Sequence, residues 1–217
     1  MQWREMAGRL LDLIYPRRAV CMGCGSIAGF EQDWLCEECR RTLQGQWLGA
    51  FADAQLDGAA AAYHYRGPAG NIVRNLKYRG VRQLAEPMAA SMLSAYEMIL
   101  PTSAELVTAV PMHPRRRWLR GFNQADLLAQ QVAARLDLPC VALLTRTRNT
   151  PQQALLMGRE RRDNVRDAFC AAGEVRGRRV LLIDDVYTTG ETARACAKAL
   201  RAAGARSVSF LAYAKGK

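Results

Sequence analysis

The segment 179–192, RVLLIDDVYTTGET, constrains the possible folds of this chain more than any other stretch. It begins with an apolar run typical of a strand that is buried on both faces of a parallel sheet. Two acids, Asp184 and Asp185, end the run, and a turn containing Gly190 leads into a helix predicted over residues 192–203. Open α/β sheets bind ligands at the carboxyl ends of their strands. The sequence therefore predicts a ligand site at this turn.

Apolar strands and helices alternate along the chain from residue 60 onward. Such alternation predicts an α/β domain with a doubly wound parallel sheet, covered by helices on both faces. The predicted strands are residues 60–65, 106–110, 140–144, 179–184 and 207–212, and the helices are a short one within 67–80, then 83–99, 123–136 and 192–203.

A chain of 217 residues can form one ordinary core and a small appended module. The predicted division is an N-terminal helix and cysteine module over residues 1–44, a linker over 45–59 and the α/β domain over 60–217. The first fifteen residues place one apolar face at helical spacing, and packing against its own domain is favoured over a partner or membrane helix. The residues of that face are Trp3, Met6, Leu10, Leu13 and Ile14.

Two CxxC pairs, Cys21 with Cys24 and Cys36 with Cys39, stand eleven residues apart. Four thiolates suit tetrahedral zinc, whose binding energy can fold a module too small to have its own core. An iron–sulfur cluster or redox-active CxxC pairs are the alternatives to this predicted zinc module. Three further cysteines, Cys140, Cys170 and Cys196, have no matched partner and are expected to be buried small hydrophobes.

The net charge of +11 is concentrated in the larger domain, where residues 61–217 hold 25 Lys and Arg against 12 acids. Such an excess favours phosphates or nucleic acid as partners, because the guanidinium fork suits phosphate oxygens. A host with a general bias toward arginine would explain the same excess. The sequence has no 18-residue apolar segment and no secretory signal. With an odd number of cysteines, these features predict a cytoplasmic protein without a membrane span.

The turn after Asp185 has the composition of an anion nest. Gly190 allows a backbone conformation that other residues resist, and the start of the following helix offers backbone N–H groups beside threonine hydroxyls. A phosphate in this nest and a diol hydrogen-bonded to the acids would fit the whole set. The chain lacks the glycine-rich motifs of ordinary nucleoside triphosphate and dinucleotide sites. A strand end with a helix cap would explain only one acid and one threonine.

This pattern resembles the phosphoribosyl pyrophosphate (PRPP) signature of type I phosphoribosyltransferases. The resemblance implies that Asp184 and Asp185, the candidate catalytic pair, hold the ribose hydroxyls of PRPP, which binds together with Mg²⁺. It also implies that the following loop holds the 5′-phosphate, although Glu191 stands where a small residue is common. The residues of this loop are Thr188, Thr189, Gly190, Glu191 and Thr192.

Further motifs resemble the ComF family of bacterial DNA-uptake proteins. They are the four-cysteine start, LKYRG at 76–80, AVPMHPRRRWLRGFNQA at 109–125 and RTRNTPQQALLMGRERRDNVRDAF at 146–169. The arginine-rich loop after the strand at 106–110 suits pyrophosphate, and it stands where phosphoribosyltransferases have their pyrophosphate loop. The segment 146–162 is long and polar, which is typical of a mobile lid. The implied residues are Met112, His113, Arg115, Arg116 and Arg120 in the loop, and Gln153 and Arg159 in the lid.

Three functions are compatible with these motifs. The first is a phosphoribosyltransferase, in which Mg²⁺ neutralises the leaving pyrophosphate. The second is a protein of natural transformation that binds single-stranded DNA along its arginines, and the family resemblance favours it. The third is an adaptor that docks a DNA-uptake helicase or another competence protein. The predicted DNA-binding arginines are Arg115, Arg116, Arg117, Arg120, Arg146 and Arg148, and the aromatic residues that would stack bases or else belong to the core are Tyr63, Tyr65, Tyr78, Trp118 and Phe122.

Overall fold

The structure is a computed structural model, and it describes residues 20–27, 34–99, 104–146, 169–171 and 173–216. The predicted helix over residues 1–15 lies outside the described residues. The same holds for Gln153 and Arg159 of the predicted lid and for the predicted DNA-binding residue Arg148.

A five-stranded sheet forms the centre of the fold, with the strand order β1-β2-β7-β6-β3. Strand β1 pairs antiparallel with β2, and all other neighbours in this sheet are parallel. Two short strands, β4 and β5, pair antiparallel in a separate ribbon. The strands are β1 Trp47–Ala50, β2 Gly58–His64, β3 Leu106–Ala109, β4 Leu144–Arg146, β5 Phe169–Ala171, β6 Arg179–Tyr187 and β7 Ser207–Lys215.

Helices cover both faces of the sheet, which confirms the predicted fold class apart from the antiparallel edge strand β1. One face carries the helices Gly67–Arg79, Ala85–Tyr96 and Gln124–Leu136, and the other carries the helix Glu191–Ala202. The helices are α1 Glu37–Gln44, α2 Gly67–Arg79, α3 Ala85–Tyr96, α4 Pro114–Arg120, α5 Gln124–Leu136 and α6 Glu191–Ala202, with 3₁₀ turns at Arg82–Leu84 and Glu97–Ile99. Within the described residues, no helix is long and apolar enough to cross a bilayer.

Strand β6 shows why a run of apolar residues is needed at the centre of this sheet. Leu181 and Ile183 pack into the cluster beneath α2, α3 and α5, whereas Val180 and Leu182 pack into the cluster beneath α6. Successive side chains of a strand point to opposite faces, so a strand between two helical layers must be apolar at every position. Truncating Leu182 to Ala would cost about 2–5 kcal/mol, since the side chain is fully buried.

Three predictions need correction. Part of the predicted linker 45–59 forms β1, because its backbone pairs with β2 and completes the sheet edge. Residues 140–143 do not form a strand, and Leu144 begins β4 of the separate ribbon. Cys140 makes an isolated bridge to Val107, and the Thr108 hydroxyl then accepts a hydrogen bond from the N–H of Leu143. Cys140 and Cys170 are exposed rather than buried, whereas Cys196 is buried as predicted.

Candidate functional site

The two acids lie inside β6, which continues past the predicted end to Tyr187. Asp185 is buried and is held by the protein itself: its Oδ2 lies 2.5 Å from Nζ of Lys77, and its Oδ1 accepts a hydrogen bond of 3.4 Å from Gln124 Nε2. Asp184 is half-buried, and its Oδ1 accepts a 2.8 Å hydrogen bond from the backbone N–H of Asp185. Asp184 is therefore the more exposed acid of the pair.

The two carboxylates and the neighbouring Lys77 ammonium shift one another's pKa values. Burial raises the pKa of Asp184 well above its usual value, and the neighbouring carboxylate of Asp185 raises it further. Burial alone would lower the pKa of Lys77, but the charge and hydrogen bond of Asp185 and the charge of Asp184 outweigh burial and raise it. Lys77 is therefore a permanent cation beside two acids, and it compensates one of them. Sequence reasoning placed Lys77 in the LKYRG motif without assigning it a role.

The loop after β6 has the geometry of an anion nest. Thr188 and Thr189 are exposed, and Gly190 adopts the left-handed conformation with a φ of 79°. Helix α6 then begins at Glu191, and no side chain caps it, so its first backbone N–H groups can serve a ligand. Glu191 and Thr192 are half-buried in this first turn. The structure thus brings the predicted phosphate-binding residues together beside Asp184.

An acid that is far away in sequence and has a buried side chain, Asp53, holds this loop in place. Oδ2 of Asp53 accepts hydrogen bonds from the Tyr187 hydroxyl at 2.5 Å and from Arg194 Nε at 3.0 Å. Arg194 also donates through Nη2 to the carbonyl oxygen of Thr189 at 2.8 Å. Burial would raise the pKa of Asp53, but these donors and the Gln55 N–H outweigh it and lower the pKa. No local sequence signal marks Asp53 as a brace for this loop, since Tyr187 and Arg194 lie more than 130 residues away.

The predicted arginine loop forms the short helix α4. His113 caps it by accepting the N–H of Arg115 at Nδ1, and Met112 lies just before it beside a cavity of about 290 Å³. Arg115 and Arg117 are exposed, whereas Arg116 and Arg120 are half-buried. The helix therefore presents a basic surface at the same end of the sheet as Asp184.

Arg120 connects the basic surface of α4 to the acids, and Arg146 lies within reach of the charges of both. Arg120 donates to Gln124 Oε1 at 2.6 Å, and Gln124 in turn donates to Asp185. Arg146, which precedes the predicted lid, has its pKa lowered by burial and by the charge of Arg116, while the charge of Asp184 acts in the opposite direction. Arg146 is thus close enough to Asp184 and to Arg116 for both charges to shift its pKa.

The five aromatic residues considered for base stacking divide into two groups. Tyr78 and Trp118 are 73% and 82% exposed, and Tyr78 stacks with the Arg120 guanidinium at 5.3 Å. Phe122 is buried beneath Arg82, and Tyr63 packs edge-on against Tyr213 at 5.3 Å. Tyr65 packs against the core as well. Tyr78 and Trp118 are therefore the ones that a nucleic-acid base could reach.

The four cysteines of the predicted metal site lie together, with all four sulfur atoms within 4.8 Å of one another. The sulfurs of Cys24 and Cys36 are 3.8 Å apart, close to the spacing of about 3.8 Å that tetrahedral zinc with 2.3 Å bonds requires. Cys21 Sγ accepts backbone N–H groups of Gly23 and Cys36, each at 3.3 Å. Such donors stabilise a thiolate, so the residues fit a structural zinc ion.

The fold and the site define a class: a phosphoribosyltransferase-type domain that follows a four-cysteine cluster. The family model described as "Phosphoribosyl transferase domain" matches residues 124–216. Competence protein F of Haemophilus influenzae is 31% identical over 94% of this chain and 93% of its own length. The chain therefore belongs to the ComF family, as its motifs predict.

One further relative agrees with this assignment. DNA utilization protein YhgH of Salmonella typhi is 34% identical over 90% of this chain and 83% of its own length. Among solved structures, the chain is similar to the glutamine PRPP amidotransferase of B. subtilis, at 26% identity and a TM-score of 0.40. That match covers 58% of this chain and 25% of the amidotransferase.

Proposed function

We propose that this protein binds PRPP with Mg²⁺ at the β6–α6 turn and acts in DNA uptake. The observation that carries the proposal is the half-buried carboxylate of Asp184 near the carboxyl end of β6. The loop that follows β6 exposes Thr188 and Thr189, Gly190 has a positive φ, and α6 begins uncapped. Asp184 accepts from the ribose hydroxyls, with Asp185 behind it. The loop Thr188 to Thr192 holds the 5′-phosphate, and the arginines of α4 hold the pyrophosphate with its Mg²⁺.

Single-stranded DNA is the second ligand in this proposal. Its phosphates lie along Arg115, Arg116 and Arg117, and its bases stack on Tyr78 and Trp118. The names of the relatives, a competence protein and a DNA utilization protein, support a role in DNA uptake. A DNA-uptake helicase or another competence protein is the expected protein partner. The proposal includes zinc in the four-cysteine cluster and a cytoplasmic location, where thiols stay reduced.

The test is calorimetric titration of the protein with PRPP and Mg²⁺, with and without single-stranded DNA. Wild-type protein should bind PRPP, and Asp184→Asn should weaken binding about 10- to 100-fold, because hydrogen bonds to a charged acceptor contribute about 1.5–3 kcal/mol. Asp137→Asn is the matched control, since Asp137 is an exposed acid at the far end of α5. Equal affinities for wild type and Asp184→Asn would contradict the proposed ribose site.

A separate measurement of pyrophosphate release tests whether the protein is a transferase. In a transferase, PRPP would release pyrophosphate when an acceptor is added, and Asp184→Asn would abolish the release. Pyrophosphate is measured in the presence of nucleobases, amines or single-stranded DNA. Release with one of these would make PRPP a substrate, and binding without release would make it a regulatory ligand.

A further inference from the structure

Helix α2 contacts the four-cysteine cluster through two asparagines one turn apart. Asn71 Nδ2 donates to the carbonyl oxygen of Gly23 at 2.5 Å, and Asn75 Nδ2 donates to that of Met22 at 2.9 Å. Gly23 and Met22 are the two residues between the ligands Cys21 and Cys24. The helix is therefore fastened to the backbone of the first CxxC turn itself.

The C-terminal end of the same helix contacts the proposed ribose-phosphate site. Lys77, two residues beyond Asn75, is the cation whose Nζ lies 2.5 Å from Asp185 Oδ2. The next residue, Tyr78, stacks on Arg120, and Arg120 leads through Gln124 to the other oxygen of Asp185. Two contacts from α2 thus converge on one buried carboxylate.

The contacts of α2 with the cysteine cluster and with Asp185 lie close together along the helix. An α-helix rises about 1.5 Å per residue, so Asn75 and Lys77 are about 3 Å apart along the axis and move as one unit. Asn75 is buried, and an amide that loses its partner there costs about 1–3 kcal/mol, so the helix end must shift to satisfy it. A displaced CxxC turn would therefore displace Lys77.

We propose that Lys77 is a positioning residue of the ribose-phosphate site and that the four-cysteine cluster sets its position through α2. This inference rests on the proposed function for the PRPP ligand and on zinc as the metal. Cys21 and Cys24 would hold the zinc ion, the turn between them binds Asn71 and Asn75, and Lys77 pairs with Asp185. Without the metal, Asp185 loses its cation, and the two adjacent acids repel each other and no longer present Asp184 correctly.

Linkage gives the first test, on the full-length protein. If zinc favours the arrangement that binds PRPP, then PRPP must raise the zinc affinity by the same factor. Zinc affinity is measured by competition with a chelating dye, in excess Mg²⁺, with and without saturating PRPP. We expect PRPP to tighten zinc binding about five- to tenfold. The tightening should disappear in Lys77→Met and in the double variant Asn71→Ala with Asn75→Ala.

Two controls make this result specific. Asp184→Asn, which the proposed function predicts to bind PRPP poorly, reports any direct chelation of zinc by PRPP in solution. Glu37→Ala removes two ion pairs, to Arg40 and Arg41, within the cysteine module, and it should keep the coupling. Equal zinc affinity with and without PRPP in a wild-type protein that binds PRPP would overturn the inference and leave the proposed function intact.

The second test does not depend on PRPP. Lys77 is 19% exposed and ion-paired, so an amine-reactive reagent should label it slowly in the zinc-loaded protein. Removing zinc with a chelator should raise its labelling several-fold by mass spectrometry, whereas exposed Lys198 should label equally in both states. Unchanged labelling of Lys77 would overturn the link between the cluster and the helix, whatever the PRPP titration gives.

Discussion

The two segments that we propose to bind anions, at the carboxyl end of the sheet, are built in opposite ways. The β6–α6 turn is braced from behind, because Asp53, Tyr187 and Arg194 form a closed hydrogen-bonded set and Arg194 holds the Thr189 carbonyl. Helix α4, in contrast, has no buried residue, and two of its arginines are exposed. One segment holds its shape through buried contacts, whereas the other offers charge on a surface.

This difference indicates which kind of ligand would suit each segment. A braced turn accepts a group of one size and geometry, because its N–H and hydroxyl groups are already in position. Exposed arginines bind any polyanion with an affinity that falls with salt. The turn therefore suits the 5′-phosphate of a defined small molecule, and α4 suits both pyrophosphate and a nucleic-acid backbone.

The largest expected effect comes from filling the space above Gly190. A methyl group there would overlap the Tyr187 hydroxyl and the Arg194 guanidinium, and its φ of 79° adds backbone strain. Gly190→Ala should weaken PRPP binding about 100-fold, since overpacking and strain each cost about 1–3 kcal/mol. Gly177→Ala is the matched control, because Gly177 has a φ of 73° and open space around it. Calorimetry that finds both variants alike would show that the turn is not rigid.

Removing the acid behind the turn should have the next largest effect. Asp53→Ala leaves Arg194 and Tyr187 without their acceptor, and we expect a loss of about 2 kcal/mol in the free energy of unfolding, below the full value for buried pairs because Arg194 is one-third exposed. PRPP binding should weaken as well. Asp57→Ala, whose side chain is 38% exposed and pairs with Arg201, is the control for thermal unfolding and for titration. Unfolding that is no more sensitive to Asp53 than to Asp57 would remove the brace from the comparison.

The exposed segment should show its role in the salt dependence of DNA binding. Replacing Arg115, Arg116 and Arg117 together with Ala should reduce the slope of log affinity against log salt by about 2, at about 0.7 per phosphate contact on a single strand. The control triple at the opposite end of the sheet is Arg176, Arg178 and Arg206, which removes the same charge. Equal slopes for the two triples, measured by fluorescence anisotropy, would mean that net charge rather than α4 binds DNA.

The smallest expected effect is a gain in thermal stability when Asp184 is replaced by Asn. The folded protein raises the pKa of Asp184 above the unfolded value, so the ionised acid destabilises the fold, and the penalty grows as pH rises above the unfolded pKa of about 4. Asp184→Asn should raise Tm by about 2–4 °C at pH 7, if the penalty is about 1 kcal/mol. The gain should vanish as pH falls to 4. A Tm difference that does not change with pH would contradict this origin.

The elements predicted from the sequence succeeded where a local pattern reports burial directly. The apolar runs of β6 and β7 and the periodic faces of α5 and α6 are such patterns, since each element must match the layers it contacts. Strand β1 was missed because Trp47–Ala50 is short and contains a glycine, and its only signal is its pairing with β2. The strand predicted at 140–144 was wrong, because the chain leaves the sheet after one bridge, between Cys140 and Val107.

The residues of the candidate site also divide into those that a local sequence pattern predicts and those that it does not. The residues that would touch the ligand are contiguous in sequence, because a strand, a turn and a helix start must follow one another to make an anion nest. Asp53 and Lys77, which hold those residues, come from distant segments and carry no local pattern. A supporting side chain needs only to reach its partner in space, so its position in the sequence is not constrained by the motif.

The amino-acid sequence by itself determined the layered α/β fold, the order of the strand and turn at Asp184 and Asp185, and the four cysteines of the cluster. Each of these depends on neighbours within one element or one short spacing. Only the tertiary structure decided that Asp185 is held by Lys77 while Asp184 faces outward, and that α2 joins the cysteine cluster to the acids. Two adjacent acids look equivalent in sequence, but a strand sends successive side chains to opposite faces, and the elements packed on each face give them different surroundings.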